Sequence, residues 1–288
     1  MVEKANTKIA CAPSRLMRFV VCAALVVPAV VDLSSEAIAG ITIFESVGAN
    51  PAAITPTRDD FRSAVGGGNV AAANGDFGGL RREINWDGVG VGFSDPNLLP
   101  GAFFNTNSPR GAVFSTPGTG FLVSGVAPVT TLFGFPGDLQ TFSAQKLFAI
   151  VGSNQMDIRF FVPGTNTAAT TSAFAAIFVD VEDSNLTRMQ FFDPLDNEIF
   201  NRTAAAGGNQ GLSFLGGVAN AGEKISRVRL TMPENFLVSN GVRANESVDF
   251  VIMDDFLYAT PSAVPEPGIW AMTLMGLALV AWRSRRRR

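Results

Sequence analysis

The stretch Arg81-Arg82-Glu83-Ile84-Asn85-Trp86-Asp87-Gly88 gathers two guanidiniums, two carboxylates, an amide and an indole in one short segment. An exposed Trp flanked by Asn and Asp holds a sugar by stacking and hydrogen bonding. Arg82, Asn85, Trp86 and Asp87 are therefore candidate ligand residues. The competing reading is a strand whose Trp86 is core and whose arginines pair with nearby acids. A second set is acidic: Glu45 follows the first expected strand, and Asp254 and Asp255 sit in the last. If those strands are neighbours, the three carboxylates fit a structural calcium ion, which takes six to eight oxygens. The alternative is separate solvated acids at strand ends. Asp180-x-Glu182-Asp183-x-Asn185 is a further acidic loop, without the glycine spacing of an EF-hand. The segment Asn105-x-Asn107-Ser108-Pro109-Arg110-Gly111 reads as turn chemistry.

Other chemistries are excluded. The chain has no histidine, and both cysteines, Cys11 and Cys22, lie in its first 39 residues. Residues 40–262 thus offer no thiol nucleophile, no Ser-His-Asp triad, no conventional zinc site and no disulfide. There is no Gly-x-Ser-x-Gly and no phosphate-binding loop. Paired carboxylates are the acid–base chemistry left, as in glycoside hydrolysis, and nothing in the sequence selects a pair. Residues 40–262 hold 13 basic and 21 acidic side chains, a net charge of −8. That balance argues against a nucleic-acid partner, which needs clustered Lys and Arg.

The elements that must position these residues read as strands. Ile158, Phe160 and Val162 alternate with Asp157, Arg159 and Phe161. Ile177, Val179 and Val181 alternate with Phe178, Asp180 and Glu182, and Val228, Leu230 and Met232 with Arg227, Arg229 and Thr231. A period of two marks a half-buried strand. Further strands are expected at 41–44, 82–86, 112–115, 120–124, 147–151, 187–192, 212–215 and 248–258, with Gly, Pro and Asn clusters between them. The pattern predicts an all-β body at 40–262, an antiparallel β-sandwich of jelly-roll type. One short helix is expected, capped by Thr55, with Pro56 first and Gly66 at its stop. At this coarse level the body resembles carbohydrate-binding jelly rolls and lectin-like sandwiches, and that resemblance implies a structural calcium.

Both ends carry addresses. Residues 1–39 read as a signal peptide: Lys4, Lys8, Arg15 and Arg18, then the apolar stretch Phe19 to Val31, then Ala37-Ile38-Ala39 as a cleavage site before Gly40. At the other end Val264-Pro265-Glu266-Pro267 precedes an uncharged run, Gly268 to Trp282, and a cluster of Arg283, Arg285, Arg286, Arg287 and Arg288. The prolines break regular structure. The run is helix-prone, and as a helix it reaches about 22 Å against a hydrocarbon core of about 30 Å. Trp270 and Trp282 suit the interfaces, and the arginines can snorkel and favour the cytoplasmic side. The expectation is a membrane helix with the body on the far side.

The order Pro-Glu-Pro, apolar helix, arginine cluster resembles the PEP-CTERM sorting signal of Gram-negative bacteria. The resemblance covers 263–288 only. It implies recognition by exosortase, a membrane protease or transpeptidase, after transient anchoring in the cytoplasmic membrane. The destination it implies is the envelope, the surface or the extracellular polysaccharide matrix. The expected body is structural or glycan-binding, and the rival is a secreted carboxylate-dependent polysaccharide hydrolase.

Overall fold

The computed structural model describes residues 40–68, 75–126, 132–239 and 241–264. The signal peptide with Ala37 and Ala39, and the tail from Pro265 to Arg288, lie outside the described residues. Among those described, no helix is long and apolar enough to cross a membrane.

The chain opens with β1 (Ile41–Gly48), α1 (Pro51–Val65), β2 (Gly75–Phe77), β3 (Arg81–Ile84), the single turn α2 (Phe103–Thr106), β4 (Ala112–Ser115) and β5 (Gly120–Val123). It continues through β6 (Phe148–Val151), β7 (Gln155–Phe160), β8 (Ala169–Thr170), β9 (Ala173–Val179), β10 (Arg188–Phe192) and β11 (Glu198–Thr203). The last third holds β12 (Leu212–Ala219), β13 (Arg227–Thr231), β14 (Leu237–Ser239), β15 (Val242–Arg243), β16 (Ile252–Ala259) and β17 (Ser262–Ala263). The larger sheet runs β1-β12-β9-β16-β6-β14-β15, with β3 on β16, β2 on β3 and β5 on β6; the smaller runs β11-β10-β13-β7-β4. Pairing is antiparallel except for β14 on β6, which meet in parallel at Leu237 and Val151. The protein is mostly β.

The period-two reading holds where one face is wet. On β7, Met156, Ile158 and Phe160 are buried while Asp157 and Arg159 are not. These side chains, with Met189, Phe191, Val228 and Leu230, meet Phe148, Phe174, Phe178, Phe256 and Tyr258 of the larger sheet in one aromatic-rich core. On β9 the expectation of a half-buried strand is corrected: every residue is buried. Phe174, Ala176 and Phe178 face that core. Ala175, Ile177 and Val179 face a second apolar cluster, closed by Ile54 and Phe61 of α1 and by Phe133 and Leu139. A central strand covered on both sides is apolar on both sides.

The helix also begins earlier than expected. Asn50, not Thr55, is the cap: its side chain accepts the Ala53 N–H at 3.3 Å, and Pro51 takes the first position. Pro56 lies inside α1. Both prolines have helical φ, so the sequence allowed either start. The stop is where it was expected. Gly66 has φ 99°, a conformation that disfavours other residues, and its N–H donates to Arg62 O at 2.8 Å.

Candidate functional site

The polar stretch around Trp86 is placed by β3, which pairs with β16 through Arg82–Tyr258 and Ile84–Phe256. Arg81 and Glu83 point under α1. There Glu83 accepts from Arg62 Nε at 2.9 Å and Nη2 at 2.7 Å, and from Arg81 Nε at 2.6 Å, all fully buried. Arg81 also donates to the Gly66 and Gly68 carbonyls. Arg82 pairs with Asp76 at 3.1 Å. Trp86, at φ 65°, turns the chain into the core. Its ring stacks on Phe148 at 4.0 Å and meets Phe104 and Phe256 edge-on, and Nε1 donates to Asp254 O at 2.6 Å. At 1 % exposure it has no free face. The expectation of a sugar stacked on Trp86 is therefore corrected. Asn85 is buried, and its Oδ1 has no partner among the described residues. Asp87 accepts the Lys146 N–H at 3.1 Å, and burial raises its pKa.

The acidic set divides. Between β16 and β9, Met253 faces Phe178 and Phe256 faces Ala176, so three steps on one strand match two on the other. This β-bulge carries one extra residue. Met253 and Phe256 both face the aromatic core, and the bulge leaves Asp254 and Asp255 together on the α1 side. The Ser143 hydroxyl lies 3.0 Å from Asp254 Oδ1 and 2.7 Å from Asp255 Oδ1, and Phe142 N–H donates to Asp254 Oδ2 at 2.6 Å. Burial pushes Asp255 up to about 6 and Asp254 well above the carboxylate range, helped there by the Asp255 charge. Glu45 is exposed on β1, three strands away, in register with Leu215, Ala176 and then Phe256. The expected calcium site from Glu45, Asp254 and Asp255 is corrected: Glu45 does not reach the pair, three of whose four oxygens lie against protein donors. Among the described residues no three metal-ligating side chains form a metal site.

Two concave sites involve the residues singled out in the sequence. One is an acidic cleft of about 330 Å³ bordered by Asp138, Asp180, Glu182 and Asp249, with Asn209, Asn235 and Arg243. Asp180 is 4 % exposed, and burial together with Asp249, Glu182 and Asp138 raises it to about 7 against one lowering bond from Gln210 N–H. Asp249 is raised by burial; Oδ2 accepts from Glu182 and Asp183 N–H, and Oδ1 is buried without a hydrogen-bond partner among the described residues. The acidic loop of the sequence contributes Asp180 and Glu182 only, since Asp183 turns to Asn185 at 2.8 Å. Asp138 and Asp249 come from distant loops, and no local pattern marks them.

The other is a cavity of about 210 Å³ between the two polar stretches singled out in the sequence, bordered by Trp86, Val89, Phe103, Phe104, Asn107, Ser108 and Arg110. Asn105 ties its loop down, donating to Thr165 O at 2.8 Å and accepting Gly164 N–H at 3.1 Å. Arg110 lies over the Phe104 ring at 5.1 Å. What the sequence read as a turn is one wall of a pocket.

Body and tail meet at β17. It pairs with β8, and Val264 N–H reaches Ala168 O at 3.4 Å, one residue before Pro265. From there on, residues 263–288 match the family model of the PEP-CTERM protein-sorting motif. The chain carries a PEP-CTERM sorting signal. A PEP-CTERM signal implies an exported protein that an exosortase processes at the membrane on its way to the cell envelope. No curated protein and no solved structure gives a significant match to the chain.

Proposed function

We propose that this protein is an exported component of the envelope or extracellular matrix, with a jelly-roll-like β-sandwich body of structural or glycan-binding role. The PEP-CTERM motif at 263–288 carries the reading. The Pro265-Glu266-Pro267 motif presents the chain to exosortase, the run Gly268 to Trp282 anchors it for a time, and Arg283 with Arg285–Arg288 fixes orientation. Residues 1–39 act as the signal peptide. One contact agrees with cleavage before Gly40: its N–H donates to Glu223 Oε1 at 2.5 Å, so a new terminal ammonium finds a carboxylate already in place. Glycan binding is assigned to the Trp86–Arg110 cavity, where apolar walls and the Asn107, Ser108 and Arg110 side chains converge. The test replaces Pro265, Glu266 and Pro267 with Ala in the native host. A longer, membrane-retained product is expected. Unchanged size and destination refute the reading.

The hydrolase reading has one observation in its favour. Glycoside hydrolysis needs a carboxyl group kept protonated near neutrality, and Asp180 at about 7 borders a cleft with Asp249 and Glu182. Polysaccharide turnover lost in Asp180→Asn establishes it; no turnover by the wild type discards it.

A further inference from the structure

Most arginines buried or half-buried in the body have a carboxylate: Arg62 and Arg81 share Glu83, Arg82 meets Asp76, Arg227 and Arg229 share Asp157, and Arg243 meets Asp138. Arg110 is the departure. It is half-buried, and its guanidinium has no ion pair and no hydrogen bond among the described residues. A guanidinium carries five N–H donors, and those of Arg110 open to solvent at the cavity rather than onto a protein acceptor. The neighbours supply none. Phe104 lies beneath the guanidinium at 5.1 Å, Arg82 adds like charge, and burial keeps the Tyr258 phenol neutral. The side chain borders the 210 Å³ cavity, whose rim also carries the exposed Asn107 and the half-buried Ser108.

We propose that this cavity binds a sugar acid, with Arg110 holding the carboxylate of a single uronate unit through paired N–H···O bonds. The proposal rests on the glycan-binding reading and narrows its ligand. A planar guanidinium held on an aromatic face is pre-oriented for such a two-point bond. The exposed edge of Phe103 gives the ring a small apolar contact, and Asn107 and Ser108 meet its hydroxyls. The volume lies below the roughly 300–1,000 Å³ of drug-sized sites, which suits one ring or a chain end rather than a long oligosaccharide.

The experiment titrates the full chain by calorimetry with a glucuronate-terminated disaccharide, its neutral glucose counterpart and a sulfated glucose counterpart. The glucuronate sugar is expected to bind at least about tenfold tighter than the neutral one, the scale of one charged hydrogen bond. Arg110→Gln should remove that preference. Arg110→Lys, which keeps the charge and tolerates the fold, should lose most of it. Asn107→Ala should weaken acidic and neutral sugars alike. Equal affinity for the neutral sugar overturns the uronate assignment and leaves glycan binding standing. Tighter binding of the sulfated sugar also overturns it. No binding of any of the three overturns both.

Discussion

Asp254 and Asp255 are consecutive, and a regular strand sends consecutive side chains to opposite faces. The bulge sends both to Ser143, and the consequence is titration. Asp255, at about 6, keeps its proton in the folded protein at pH values where the unfolded chain, at 3.8, has lost it. A group whose folded pKa is raised removes stability as pH climbs between those two values. Stability should therefore fall from pH 4 to pH 6, on the order of 3 kcal/mol from this carboxyl. Asp180 extends the fall toward 7. Asp157, lowered by Arg229 and Arg227 against its own burial, has the opposite sign and loses stability only below about 4. Asp255→Asn should make the pH 4–6 segment of a melting-temperature profile read by circular dichroism shallower, with the remaining slope carried by Asp254 and Asp180; an unchanged slope refutes this assignment. The carboxylate pair is visible in the sequence. The bulge is not, because it depends on the spacing of β9, a strand more than seventy residues away. For the same reason the Glu45 partnership fails: chain ends give no strand order.

Helix α1 is tied to the larger sheet by one buried carboxylate as well as by the packing of Ile54 and Phe61. Glu83 on β3 accepts from Arg62 on α1 and from Arg81 on its own strand, with all three fully buried. Removing Glu83 takes the shared acceptor from both arginines, at up to about 3–5 kcal/mol, with Asp59 still beside Arg62 and the Gly66 and Gly68 carbonyls still beside Arg81. Glu83→Leu should lower the unfolding free energy extrapolated from a urea titration by that amount. Arg62→Met added to it should recover part of the loss, since an apolar replacement of a buried pair is often tolerated. No recovery would mean that α1 docks through Ile54 and Phe61 alone. Alternation located β7 and β13 because their outward residues are polar. It misread β9, whose second face lies under α1, and it missed β11, whose sequence Glu-Ile-Phe-Asn-Arg-Thr is mostly polar. Trp86 and its flanking charges looked like a site because polar residues that serve a buried network are the same types that serve a ligand.

At the scale of the molecule, two apolar clusters share one sheet. β9 and β16 contribute alternate side chains to each, Phe174 and Phe256 to the aromatic core and Ile177 and Leu257 to the α1 side. Neither cluster can lose its sheet without exposing the other, so the clusters should melt together. This is informative at about 220 residues, a size at which separate transitions are common. Ile177→Ala removes packing from the α1 side at about 2–5 kcal/mol, and Phe256→Ala removes it from the aromatic core at about 3–5 kcal/mol. Each variant should shift a single calorimetric transition of the body as a whole. The shift should be the same with and without reductant, since residues 40–288 contain no cysteine. Should Ile177→Ala split the melt in two, with the later step at the wild-type temperature, the α1 layer is an independent cover and the shared-sheet account fails. A body held this way reaches the far side of a membrane without waiting for disulfides to form, and its last described residue, Val264, stands beside the motif that addresses it.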